Sequence, residues 1–584
     1  MTHGRPDFPG LSRVGAHGDT PPTLDRRRWL ALIVVLVAGF MDLLDVTIVN
    51  VAIPSILKDL KAEYAEIEWI VAAYVLAFAA VLITGGRLGD IFGRKRLFLI
   101  GMGGFTIASA LCGVAGGPAV LIGARFFQGA MAGLMVPQIL AIIHVTFPPD
   151  ERGKVFGLFG GILGSASVAG LIIGGLLVQW NLFGLAWRPI FLVNVPVGLA
   201  AMFAAWFVVR ESRSPTAPRL DLVGMALAVT GILMLVYPLT EGRSLGWPVW
   251  TFLLMAGSGL LLALFVAYER RRTRTVGSPL VVLSLFRARP FTAGMVVWLI
   301  FWIALGGFFL VWTLYMQVGL GWRPLRAGLT AVSFAVGAGA GAGLSVEVLT
   351  PRFGRRVLMA GALLNAVGFG SYAWVGSHYG PAIHSWQMVA PLVIAGVGFG
   401  LVVAPMIDLI LTDVPVRDAG SASGLLNTTQ QVGMALGVAL VGVVFFAQLA
   451  DDSGRGVDAV TISLREQLTA TGVPTSDQDG IIAGFRGCVH DRSAATDPTK
   501  MPASCQIESA QPGSPPADHA QELLTRAGEQ ANAHNFSRTF SITLWYAVGI
   551  LIVVFLGLFA LPRRVRARDL DAELSALEDY HVRS

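Results

Sequence analysis

The sequence predicts an all-α polytopic membrane protein: two bundles of six spanning helices, with a two-helix hairpin between them. Three observations predict it. Of 584 residues, 54% are hydrophobic and only 14% charged, where soluble domains run to about 25% charged, so lipid is the expected solvent. Fourteen apolar runs each approach the roughly 20 residues that cross ~30 Å of hydrocarbon. Short motifs also recur at a nearly constant offset between the two halves of the chain.

The apolar runs lie at 30–54, 69–88, 97–115, 119–145, 155–179, 189–209, 221–240, 249–268, 292–316, 327–348, 357–376, 387–412, 421–449 and 540–561. Ahead of them, residues 1–28 read as a disordered tail rich in Pro, Gly and Thr, without a cleavable signal peptide. The run after Arg26-Arg27-Arg28 is too long for a signal segment and reads as a retained first span. The domains expected are a first bundle at 29–209, a hairpin with its flanking loops at 210–291, a second bundle at 292–562, and a tail at 563–584.

Orientation follows from the basic residues. With the N-terminus inside, the inner segments carry 29 Lys and Arg and the short outer loops six, so both termini are expected in the cytoplasm. The same clustering accounts for the net charge of +6 without nucleic acid. The segment 450–539 then lies outside. Asp518–Ala533 reads as helical and the rest as irregular, which leaves a small ordered cap and a disordered loop both open. Cys488 and Cys505 share this segment, and a disulfide between them would require an oxidising compartment. Cys112 lies in an apolar run and reads as inert.

The repeat supports the two-bundle arrangement. Phe92-Gly93-Arg94-Lys95 recurs as Phe353-Gly354-Arg355-Arg356, Gly129-x3-Gly133 as Gly396-x3-Gly400, and Gly153-x3-Gly157 as Gly420-x3-Gly424, at offsets of 261, 267 and 267. Parallel six-span repeats with a pathway between them are a common build for alternating-access carriers.

Charges inside spans cost at least ~2.5 kcal/mol at the bilayer centre and mark functional positions. The first span holds Asp42 and Asp45, and the fourth holds Arg125. At 1.5 Å per residue, Asp45 lies roughly 22 Å above the inner edge and Arg125 roughly 9 Å below the outer one, at similar heights. An isolated carboxyl there favours its protonated form, and a nearby guanidinium favours the ionised one. A movement that changes their proximity would bind or release a proton. The plainer alternative is a permanent ion pair that pins two spans together.

The segment Gly86-Arg87-Leu88-Gly89-Asp90-Ile91-Phe92-Gly93-Arg94-Lys95-Arg96 reads as an inner loop whose glycines allow a tight turn. Its Asp90 can pair with a neighbouring cation or cap a helix. This segment resembles the signature between spans 2 and 3 of the major facilitator superfamily. Leu44-Asp45-Val46-Thr47-Ile48-Val49-Asn50-Val51-Ala52-Ile53-Pro54, Arg125-Phe126-Phe127-Gln128-Gly129, Trp187-Arg188-Pro189-Ile190-Phe191-Leu192-Val193-Asn194-Val195-Pro196 and Tyr315-Met316-Gln317 resemble its fourteen-span drug:proton antiporter branch, the EmrB/QacA type. The resemblance implies the major facilitator fold, proton coupling at Asp45 and Arg125, and a cytoplasmic gate held by Asp90. The antiporter motif Gly-Pro-x-x-Gly-Gly resembles Gly170-Leu171-Ile172-Ile173-Gly174-Gly175, where Leu171 replaces Pro and removes the reason for a kink. The second copy of the loop motif carries Pro351 where the first has Asp90, so the gate is asymmetric.

Trp298, Trp302, Phe309 and Trp312 fall near one face of the ninth span. They would form either an aromatic substrate wall or a lipid-facing surface, with Asn50 and Gln128 as expected polar groups of the cavity. The reading is therefore a secondary exporter of hydrophobic or cationic drugs, antibiotics or dyes, driven by proton entry through alternating access. A dedicated exporter of one native metabolite or lipid is the alternative, and a proton-linked nutrient importer is disfavoured by the glycine motif. No G-x4-G-K-[ST] or H-E-x-x-H motif is present, which argues against an ATP-driven pump or a zinc enzyme. No cofactor or metal is expected. The expected setting is a bacterial inner membrane, with lipid, protons and a small molecule as partners, and a monomer as the unit.

Overall fold

A computed structural model describes residues 27–62, 64–213, 221–242, 245–275, 280–412, 414–415, 418–494, 502–505 and 515–561. It is helical throughout, with no strand among the described residues. The expected tails lie almost wholly outside that set. In chain order the helices are α1 (Arg27–Leu60), α2 (Tyr64–Phe92), α3 (Arg94–Gly113), α4 (Pro118–Thr146), α5 (Pro149–Trp180), the short α6 (Pro189–Leu192), α7 (Asn194–Val208), α8 (Leu222–Glu241) and α9 (Val249–Thr275). They continue as α10 (Arg289–Leu314), α11 (Pro324–Leu344), the one-turn α12 (Thr350–Phe353), α13 (Arg355–Tyr379), α14 (Ser385–Leu411), α15 (Ala419–Asp451), α16 (Ser453–Ala470), α17 (Thr475–Ala494) and α18 (Pro515–Gly557).

Twelve of the described segments are long and apolar enough to cross a membrane, or up to thirteen if the bent α2 is one span. The sequence reading of fourteen is therefore not reached by this count; the remaining expected run, 155–179, lies in α5. Within the first half, α4 packs on α2 and α3, and α1 on α5. In the second, α14 packs on α11 and α13, α10 on α15, and α13 on α18. The halves meet where α5 lies on α11 and α2 on α15, and the α8–α9 pair rests against α2. Two faces are distinguished below: the turn face, which carries the α2–α3 connection, and the cap face, which carries residues 450–539.

The repeated glycines have one physical cause in both halves. A methyl carbon on Gly129 would lie 2.2 Å from the Tyr74 carbonyl oxygen of α2, and one on Gly396 would lie 2.1 Å from the Phe334 carbonyl oxygen of α11. Lipid offers no hydrophobic drive between helices, so close backbone approach and packing must supply it. The same small residue at the same crossing is what keeps the two halves alike.

Two expectations are corrected here. Among its described residues, segment 450–539 is not irregular outside Asp518–Ala533. Helices α16 and α17 pack with the start of α18 around Val457, Val460, Leu464, Ile482, Phe485 and Ala531. The apolar residues there are interrupted by polar ones at helical spacing, and their low average hydrophobicity hid an amphipathic pattern. Cys488 and Cys505 are joined by a disulfide within this cap. The second correction concerns 86–96, which is not a loop: α2 runs to Phe92, α3 starts at Arg94, and Gly93 alone separates them with φ +108°. That backbone conformation favours glycine.

The crossings yield a testable contrast. A side chain at Gly400 would meet the Ala338 carbonyl at 2.2 Å, whereas Gly339 faces open space. Gly400→Leu should lower the detergent melting temperature by an amount equivalent to about 1–3 kcal/mol or more. Gly339→Ala should leave it unchanged or raise it slightly; equal effects at both sites would contradict the packing assigned here.

Candidate functional site

Asp45 of α1 is fully buried, and every partner it has comes from another helix. Arg125 Nη1 of α4 donates to its Oδ2 in an ion pair. Gln128 Nε2 donates to its Oδ1 at 2.8 Å, and Asn194 Nδ2 of α7 to the same oxygen at 3.0 Å. Arg125 also donates Nη1 to Gln128 Oε1 at 2.7 Å and Nε to the Ile70 carbonyl at 3.2 Å, with its guanidinium 4.3 Å from the Tyr74 ring centroid. Ser109 of α3 accepts from Gln128 Nε2 at 2.8 Å. A buried carboxylate is tolerable when its charge is paired and its lone pairs are satisfied, and this cluster does both.

Asp42 lies one turn away on α1 and is also buried, but its hydrogen-bond donor is the Tyr74 hydroxyl of α2. The two acids of the first span thus have separate environments. Gln128, expected to face the cavity, instead has both amide atoms engaged within the Asp45 cluster. Asn50 lies on α1, and its side chain is outside the described set. Sequence reasoning did not single out Asn194, Ser109 or Tyr74. Asn194 stands inside the Trp187–Pro196 motif and had a signal; nothing near Ser109 or Tyr74 distinguishes them from other polar residues on apolar helices.

The glycines of α5 pack directly around this acid. A methyl carbon on Gly170 would strike Thr47 Oγ1 and lie 3.1 Å from the Leu44 carbonyl, and one on Gly174 would lie 2.8 Å from Ile48 Cγ1. These contacts bracket Asp45 on α1. Gly175, one residue on, faces Leu325 of α11 in the other half. Helix α5 therefore touches the acid-bearing helix with one side and the opposite bundle with the other.

At the turn face, Asp90 is the hub between the halves. Its carboxylate accepts Arg94 Nη2 at 2.6 Å and lies 3.8 Å from Arg87. It also accepts the backbone N–H groups of Gly420 at 3.1 Å and Ser421 at 3.2 Å, in the first turn of α15. Those N–H groups have no partner within their own helix, and the positive helix end favours an anion there. Gly86 lets α2 approach, since a methyl carbon on it would lie 2.3 Å from the Gly420 carbonyl oxygen, and Gly89 packs against the Gln138 side chain. Ser423 Oγ donates to the Pro137 carbonyl at 2.9 Å, tying α15 to α4 as well. Glu211 accepts the backbone N–H groups of Lys95 and Arg96, each at 3.2 Å, and so caps α3. Pro351 falls in α12 and brings no acid to the matching position.

The aromatic residues of α10 turn inward. Trp298, Trp302 and Trp312 are buried and Phe309 is half-buried, so a lipid-facing surface is not what they form. Trp302 packs edge-on against Trp298, Phe301 and Phe399, while Phe309 and Trp312 gather around Phe334. Trp298 Nε1 donates to the Leu426 carbonyl at 3.3 Å and Trp312 Nε1 to Tyr372 at 3.1 Å. Trp302 Nε1 is buried with no acceptor among the described residues.

Comparison with known proteins adds the relationship. The profile of the Major Facilitator Superfamily matches residues 35–438. The chain is 40% identical to a probable actinorhodin transporter of Streptomyces coelicolor, over 96% of each chain. It is 35% identical to a tetracenomycin C resistance and export protein of Streptomyces glaucescens, over 77% of this chain and 80% of the relative. Among solved structures, the human organic anion transporter MFSD10 aligns with a TM-score of 0.54 at 12% identity, covering 90% of this chain and 99% of that one. A proton:xylose symporter aligns with a TM-score of 0.50 at 14% identity, covering 80% and 94%.

The geometry at Asp90 makes a direct prediction. Asp90→Ala removes the carboxylate from buried Arg94 and from two N–H groups of α15, a loss on the order of 3–5 kcal/mol for a broken buried pair. Spin labels on the turn-face ends of α2 and α15 should then show a longer and broader distance distribution than in the parent protein. An unchanged distribution would remove Asp90 from the role of clasp.

Proposed function

This chain belongs to the major facilitator superfamily and is a multi-pass membrane transporter, and on that premise we propose that it is a proton-driven exporter of small antibiotic-like molecules. The observation that carries the proposal is the Asp45 cluster. A carboxylate sealed among Arg125, Gln128 and Asn194 is held by helices α1, α4 and α7 at once, so its proton affinity depends on where those helices stand.

In this cycle, proton uptake at Asp45 cancels the charge that binds α1 to Arg125. Helix α1 can then shift against α4, and the smooth glycine surface of α5 transmits the shift to α11 across the bundle interface. Release of the proton restores the ion pair. The clasp at Asp90 is formed, which corresponds to a state closed at the turn face; its release would open that side. The basic-residue asymmetry supports placing this face in the cytoplasm of a bacterium, with both termini there and the cap outside.

The ring cluster around Trp302 supports a bulky, partly aromatic cargo. A buried indole N–H without an acceptor costs roughly 1–3 kcal/mol, which a carbonyl or hydroxyl oxygen of the cargo would recover. Names among the relatives, actinorhodin and tetracenomycin C, point the same way. A second reading, export dedicated to one native metabolite, is favoured by the degree of identity. The chain matches the actinorhodin transporter at 40%, and a multidrug resistance protein of Mycobacterium tuberculosis at 32% over 73% of this chain and 78% of the relative.

Proteoliposomes test the coupling. Asp45→Asn should abolish cargo-induced proton movement and slow gradient-driven efflux by roughly tenfold or more, the equivalent of about 1.4 kcal/mol. Retained proton movement would exclude Asp45 as the carrier and direct attention to Asp42. For the cargo site, Trp302→Phe keeps the ring and removes the N–H. It should weaken binding of an exported compound by about tenfold, measured by quenching of intrinsic fluorescence, and equal binding would exclude the indole as a contact.

A further inference from the structure

On the cap face, residues 320–323, the first turn of α11 and the turn before α14 line an open hollow of about 510 Å3. Its ionisable lining consists of Arg323, Arg326 and His384, with no carboxylate. The contrast with Arg188 on the same face is direct, because that cation is neutralised by Asp59 at 2.6 Å. Arg323 and Arg326 have no carboxylate partner among the described residues. Arg326 instead lies over the Trp322 ring, 3.8 Å from its centroid, with Nε 3.5 Å from Ser385 Oγ.

Their placement runs against helix electrostatics. Arg323 is the N-cap of α11 and Arg326 stands in its first turn, which holds no acid. His384 is the N-cap of α14, whose first turn also holds none. Helix N-termini carry partial positive charge and ordinarily attract acids. Here two such ends and two guanidiniums converge on one hollow, on the face where short loops otherwise hold few cations. An anion seated between them would meet both guanidiniums and the start of α11, which has no side-chain cap; the start of α14 already carries a capping box between His384 and Gln387.

The surroundings indicate how such an anion would arrive. Trp374, Tyr379 and Trp386, which bracket the turn before α14, are exposed, and exposed Trp and Tyr mark the level of lipid headgroups. Guanidinium forks match the paired oxygens of a phosphate. We propose that this hollow binds a phosphate ester at the membrane interface, from an acidic phospholipid headgroup or a soluble phosphate monoester, through Arg323 and Arg326. The site is separate from the Asp45 cluster and from the aromatic cargo wall.

The test uses the purified full-length protein in detergent, with dioleoylphosphatidylglycerol, dioleoylphosphatidylcholine and glycerol 3-phosphate as three separate probes. Apparent affinities are read by native mass spectrometry for the lipids and by calorimetry for the ester. Tighter binding of the acidic lipid than of the zwitterionic one, weakened roughly tenfold or more in Arg323→Gln/Arg326→Gln, supports the site with lipid as its source. Binding of glycerol 3-phosphate that is weakened to the same extent supports it with a soluble source. Arg326→Lys keeps the charge but not the fork, and should give an intermediate loss; it also serves if the double variant folds poorly. Equal affinity for all probes in the parent and the variants would overturn the proposal.

Discussion

An ionised carboxylate has no water to turn to inside a lipid-embedded bundle, and the arrangement around Asp45 answers that constraint. The charge is met by Arg125, the remaining lone pairs by Gln128 and Asn194, and the arginine in turn by a backbone carbonyl and the face of Tyr74. Because the partners come from α4, α7 and, through the arginine, α2, the pair specifies how α1, α2, α4 and α7 stand together. Removing one member leaves a buried charge uncompensated, which is far costlier than never having had the pair. Such a site is stable as a whole and sensitive to displacement, which is what a coupling device requires.

In the proposed cycle the glycines of α5 carry that displacement from the first half to the second. Gly170 and Gly174 bring α5 against the Asp45 segment of α1, and Gly175 presents the other side of α5 to α11. At the turn face the halves are joined by polar contacts: one carboxylate, Asp90, satisfies two N–H groups at the start of α15 while holding Arg94. Apolar packing between the halves can slide, whereas this clasp is directional and is either made or broken. In the proposed cycle the combination favours two discrete arrangements over a continuum of partly open ones.

The cap and the second half carry features of different origin. Helices α16, α17 and the start of α18 have a small apolar core of their own and a disulfide, so they form an ordered layer outside the membrane-spanning helices. The aromatic cluster on α10 lies within the second bundle, away from the acids of the first. Proton chemistry and cargo contact are thus assigned to opposite halves in the proposed cycle, and the helix interface between them is where they are reconciled.

Much of this was legible in the sequence because membranes impose simple rules. Apolar run length and the recurrence of Gly129-x3-Gly133 as Gly396-x3-Gly400 pointed to an all-helical, internally repeated membrane protein; the scarcity of charge within spans singled out Asp42, Asp45 and Arg125, and the Gly86–Arg96 motif singled out Asp90. What the sequence could not decide is which groups meet across helices. The amide of Gln128 turned toward the acid cluster and away from a cavity, Tyr74 took Asp42, Asn194 and Ser109 joined unannounced, and Asp90 found Gly420 and Ser421 some 330 residues away. Those pairings depend on helix rotation and crossing, which periodicity along one helix leaves free. The cap stayed undecided for the complementary reason: its helices are short and polar on average, and only their packing on one another reveals the shared core.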